Sequence, residues 1–80
     1  MTTAGDLRAR AARWRLAAET TRREVASLVR LAELTWRAPT ADAFRRNIAV
    51  RVRELRELAA REDAVADLLD RVATESARAA

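Results

Sequence analysis

The sequence predicts an all-α protein: two long antiparallel helices joined as a hairpin by a short turn near Trp36 to Thr40, dimerising into a four-helix bundle. Three observations predict it. The 80 residues include a single glycine and a single proline, and that proline, Pro39, stands near the middle of the chain. On both sides of it, apolar residues recur at steps of three and four, the period of one helical face. The hydrophobic half of the composition is rich in alanine, the strongest helix former and a weak core filler, while valine and isoleucine are too few and wrongly spaced for strands.

The first helix is expected over about residues 4–37. Thr3 is a candidate N-cap, and Asp6, three residues later, places a carboxylate where it complements the helix dipole. Leu7, Ala11, Trp14, Ala18, Thr21, Val25, Leu28, Ala32 and Thr35 then form one seam, with Leu31 and Leu34 widening its end. Pro39 cannot continue a regular helix and biases Ala38 away from the α region. The turn therefore falls over about 37–40, and the second helix over about 40–77. Either Thr40 caps that helix or Pro39 takes its first helical position. Its seam runs through Ala41, Phe44, Ile48, Val52, Leu55, Leu58 or Ala59, Val65, Leu68 or Leu69, and Val72. Each helix would be roughly 50 Å long at 1.5 Å per residue, which makes one elongated domain over residues 1–80.

Charge fits long solvated helices. All sixteen basic residues are arginine, against twelve acids, for a net charge of +4. The first half is basic and the tail acidic. Asp6 with Arg10, Glu19 with Arg23, Glu33 with Arg37, Asp42 with Arg46, Glu57 with Arg61 and Asp67 with Arg71 stand four apart, acid first, the favoured orientation for a helix-surface pair. Glu62, Asp63, Asp67 and Asp70 lack calcium-loop spacing and its turn glycine, so they are expected to form a solvated face.

Composition narrows the chemistry. Without cysteine or histidine the chain lacks the common zinc ligands, the usual general base and any disulfide. Ser27 and Ser76 have no neighbouring base to activate them. No enzyme activity, metal or cofactor is expected. Arginines interrupt every candidate membrane span, and the N-terminal stretch has no apolar core of a cleavable signal, so a cytoplasmic location is expected before any export.

Two helices bury one stripe each, yet Leu16, Val29, Leu31, Val50, Leu58 and Leu68 fall beside the seams. The apolar surface is wider than one partner helix covers, so a second hairpin is expected against it. Leu7, Trp14, Val25, Leu28, Leu31, Ile48, Val52, Leu55, Val65, Leu69 and Val72 are the expected partner interface.

The stretch Trp36-Arg37-Ala38-Pro39-Thr40-Ala41-Asp42-Ala43-Phe44, between two amphipathic helices of a small chain, resembles the W-x-G turn of the WXG family. These are the Esx-type hairpins handled by type VII secretion systems, chiefly of actinobacteria and firmicutes. The architecture is similar over the whole chain and the motif over about nine residues. The resemblance implies that Trp36 is the motif tryptophan at the hairpin tip, with Ala38 in the glycine position. It further implies that Pro39 belongs to the turn, that Ala41 permits close helix approach and that Phe44 fills the space beneath the turn. Alanine tolerates positive φ poorly, so the turn is expected to differ in detail from the glycine form.

The resemblance also implies a role: secretion substrate, co-secreted partner or targeting adaptor. The partner would be a second WXG-type hairpin or another copy of the chain, with a type VII secretion ATPase or a larger cargo protein beyond it. The Tyr-x-x-x-Asp/Glu export signal of many members is absent, because the chain has no tyrosine. Either a partner hairpin then supplies that signal and the pair travels together, or the chain stays inside as an adaptor for something larger. Two rival readings are a basic dimeric hairpin that binds nucleic acid through pairs such as Arg22-Arg23 and Arg45-Arg46, and a structural dimerisation module without a secretion role. Interleaved acids and the lack of aromatics in a basic stripe weigh against nucleic acid.

Overall fold

A computed structural model describes residues 2–35 and 39–79. Helix α1 spans Ala4–Thr35, a single 3-10 turn spans Pro39–Ala41, and helix α2 spans Asp42–Ala79. The two helices pack along each other as a hairpin measuring 63 × 16 × 14 Å. Its radius of gyration, 18.1 Å, compares with about 12 Å for a compact domain of this length. The molecule is a rod.

The N-terminus of α1 is closed reciprocally. The Asp6 backbone N–H donates to Thr3 Oγ1 and the Thr3 N–H donates to Asp6 Oδ2, each at 3.0 Å, a capping box with aspartate in the acidic position. The bond from the Thr3 backbone, and then the one to its side chain, hold the Asp6 carboxyl below the ordinary carboxylate range. At the other end of α1, the expected turn residues Trp36 and Ala38 lie outside the described residues. Pro39 opens the 3-10 turn, where its missing N–H forfeits no helical bond, and Asp42 follows in the first turn of α2.

Alanine builds the closest part of the interface. Ala11, Ala18 and Val25 on α1 and Val52, Ala59, Ala66 and Ala73 on α2 recur at intervals of seven and are all buried. Ala11, Ala18, Ala66 and Ala73 have no exposed surface at all, so the two backbones approach until only methyl groups separate them. Larger aliphatic side chains fill the seam only towards the turn, where Val25, Ile48, Val52 and Leu55 cluster beneath Leu28, Val29 and Ala32. Burying a side chain such as Leu55 is worth about 1.5–3 kcal/mol relative to leaving it in water. The hairpin thus has an aliphatic half near the turn and an alanine half at its open end.

Several expected seam positions move outward in consequence. Trp14 is 42 % exposed, because the neighbouring alanines take the centre of the interface. Of the alternatives on α2, Ala59 is buried while Leu58 is exposed, and Leu69 is half-buried while Leu68 is exposed.

The acids also depart from expectation. Glu62 is not part of a solvated face: it is buried at the interface and accepts a hydrogen bond from Thr21 Oγ1 at 2.7 Å. Its neighbours reach across to α1. Asp67 and Asp70 hold Arg15 at 3.1 and 2.7 Å, Asp63 pairs with Arg22, and Arg8 donates to Thr74 at 3.4 Å. These contacts fix the antiparallel register. Of the expected pairs four apart, Glu19 with Arg23 is present at 3.7 Å. Asp42 instead pairs with Arg45 three residues on, and Asp67 turns to the other helix. Arg15, crossing the interface, meets two carboxylates where its own helix would offer one, Glu19.

Candidate helix-docking surface

The register divides the rod into two unlike flanks. On one, Arg8, Arg15 and Arg22 of α1 stand at intervals of seven, and Asp63 and Asp70 of α2 face them at the same interval. The ion pairs of Arg15 and Arg22, with the Arg8 to Thr74 hydrogen bond beyond them, close this flank over the open half of the hairpin. The Arg15 guanidinium is held more firmly protonated by its bonds to Asp70 and then Asp67.

One step closer to the turn, the same interval brings Val29 opposite Arg56, and the closure ends. There a groove of about 880 Å³ opens, with Val29, Ala32, Ile48, Ala49, Val52 and Ala60 along its floor. Arg45, Arg53, Arg56 and Glu57 form its α2 wall and Glu33 stands on the α1 side.

The opposite flank is apolar. Phe44, Leu58, Val65 and Val72 lie on it at multiples of seven along α2, interrupted by Arg51, and Leu31 and Trp14 approach it from α1. Phe44, Leu31, Leu58, Val72 and Trp14 are each between 40 and 43 % exposed. Trp14 sits with Ala17 between Arg10 and Arg13. Together these side chains leave several hundred Å² of apolar surface in water, the scale at which such patches mark interaction sites.

The expected interface residues therefore separate into three sets. Val25, Ile48, Val52 and Leu55 are consumed by the core between α1 and α2. Leu7, Leu28, Val65 and Leu69 are half-buried, and Trp14, Leu31 and Val72 remain exposed. Ala41 is buried, as close helix approach requires. Phe44 does not fill the space beneath the turn but projects to the surface, since Ala41 and Ile48 occupy the inward positions on either side of it.

Compared with family models, curated proteins and solved structures, the chain matches none. The surface must speak for itself. Among the described residues no cluster of acids is placed to hold a metal ion, and no helix is long and apolar enough to cross a membrane. Sequence reasoning placed Glu62 on a solvated face, offered Ala59 only as an alternative to Leu58, and overlooked Ala66 and Ala73. The interval of seven was legible, but a search led by leucine and valine passes over alanine.

Proposed function

We propose that the protein is a WXG-type, Esx-like helical hairpin of a type VII secretion system: a substrate, a co-secreted partner or a targeting adaptor. It acts by helix–helix recognition. The observation that carries this reading is the apolar flank of Trp14, Leu31, Phe44, Leu58 and Val72, whose length matches a second hairpin laid alongside. The motif from Trp36 to Phe44 supplies the family assignment, and the flank supplies a reason for a partner. Docking two such rods side by side completes a four-helix bundle, in which the half-buried Leu28, Val65 and Leu69 also leave water.

In this reading the chain binds its partner before export and presents the hairpin tip to the secretion ATPase, the partner contributing the tyrosine-based signal. Light scattering after size exclusion, on the chain alone and mixed with each W-x-G hairpin encoded beside it, tests the pairing. A complex of two hairpins is expected, weakened by Leu58→Arg. A monomer in every mixture at 100 μM (on the order of the weakest useful affinity) would refute the pairing. Equal amounts of the protein in the medium of producing cells with and without the secretion ATPase would refute the secretion role.

A further inference from the structure

The groove near the turn lies on the flank opposite the apolar stripe, and we infer that it receives an acidic amphipathic helix of another protein. This inference stands apart from the secretion reading, since it uses a different face and holds for any partner of that chemistry. Along the open half, two successive steps of seven on α1, Arg15 and Arg22, bring an arginine against an aspartate of α2, and Arg8 beyond them meets Thr74. At the next step the helix supplies Arg56 where Asp63 and Asp70 precede it, and α1 supplies Val29. The cation is now on the wall of α2 with an apolar residue facing it, and the two acids of the groove, Glu33 and Glu57, form no ion pair with it among the described residues.

Arg56 and Arg53 have no ion-pair partner among the described residues. The floor beside them is apolar and open. From Arg45 to Ala60 the groove runs about 22 Å along α2 at the helical rise, the length of about four helical turns. An occupant with small or aliphatic side chains every third or fourth residue would cover Val29, Ala49 and Val52. Glutamates along one edge would meet Arg53 and Arg56 and continue the closure that the hairpin leaves unfinished. Partly desolvated arginine–carboxylate pairs at the rim would set which partner is accepted.

Fluorescence anisotropy on the full chain at low ionic strength tests this. The probe is a labelled 18-residue helical peptide with a leucine stripe flanked by glutamate, compared with its lysine-for-glutamate counterpart. The acidic peptide is expected to bind at least tenfold more tightly. Arg53→Glu with Arg56→Glu should erase that preference, and Ala49→Trp, which fills the groove from an exposed position, should weaken binding at least tenfold. Arg71→Glu with Arg78→Glu makes the same change in net charge at the open end, away from the groove, and should alter affinity less than threefold, which separates a site from overall attraction. Circular dichroism confirms that each variant keeps its helices. Equal binding of the two peptides, or an equal loss from both charge-reversed pairs, would overturn the inference. So would conversion of a dimer to a monomer by Ala49→Trp, which would assign the groove to a second copy of the chain.

Discussion

Replacing Ala18 with leucine tests the central structural claim, because the sign of the effect depends on how closely the helices approach. Ala18 has no exposed surface and belongs to the alanine seam with Ala11 and Ala66. If the seam were loose, three added carbons would bury at about 0.8 kcal/mol each and stabilise the hairpin by roughly 2 kcal/mol. Helix propensity barely changes, since leucine is close to alanine. If methyl groups already bring the backbones together, the larger side chain must push α2 away and strain its rotamer, a cost of about 1–3 kcal/mol. The displacement would also stretch the bonds beside it, Thr21 to Glu62 and Arg15 to Asp70. Destabilisation is therefore expected. For a domain of this size 1 kcal/mol corresponds to about 4–8 °C in Tm, so a fall of roughly 5–20 °C should appear in thermal unfolding followed by helical ellipticity. Ala12→Leu, on the exposed face of the same helix, should change stability by less than about 0.5 kcal/mol. A higher Tm for Ala18→Leu than for the parent would refute close packing of the seam.

Leu55→Ala, at the most buried large residue of the aliphatic half, should cost about 2–5 kcal/mol, read as a lower urea midpoint with loss of α1–α2 packing. Thr21→Val removes the hydroxyl that serves buried Glu62 and should cost about 1–3 kcal/mol. Adding Glu62→Leu should recover most of that loss, and a double variant no more stable than Thr21→Val would count against a buried, paired carboxylate. The Asp6 carboxyl titrates low because Thr3 donates to its charged form. Its contribution to order at the start of α1 is therefore fully present above the unfolded carboxyl's value and fades as pH falls through the depressed one. Thr3→Ala keeps the backbone N–H that lowers the carboxyl most and removes only the side-chain partner, so the Asp6 midpoint should rise part of the way in a carbon-detected NMR titration, and an unchanged midpoint would remove the side chain's share of the cap.

The fold was legible because its determinants are local. One proline in a chain with a single glycine fixes one reversal, and the spacing from Leu7 to Thr35 fixes which face of α1 turns inward. Thr3 and Asp6 formed the expected cap for the same reason: both partners lie within four residues. What the sequence concealed depends on the other helix. Trp14 carries the right period for the seam, yet its burial depends on how much room α2 leaves, and the alanines leave little. Glu62 looks like one of a run of solvated acids until the register sets it against Thr21. Asp67 looks paired with Arg71 until Arg15 is seen to reach it. Spacing within a helix names the candidates for each contact, but only the pairing of two helices selects among them.

The same alanine seam accounts for the apolar side chains left exposed on the surface. A hairpin held apart by leucines would have a broad interior, wide enough to shelter residues on both shoulders of each helix. Methyl-to-methyl approach does the opposite. It draws α1 and α2 into a rod only 16 × 14 Å across, and the residues flanking the seam end on its outside. Their chemistry then decides the fate of each flank. Where the flanking residues are Arg15, Arg22, Asp63 and Asp70, they close over the seam as ion pairs and that part of the rod is finished. Where they are Leu31, Leu58, Val65 and Val72, the hairpin leaves them partly in water, because a rod two helices wide has no third layer to lie over its shoulders. Tight packing inside and exposed apolar surface outside are therefore one property of this sequence.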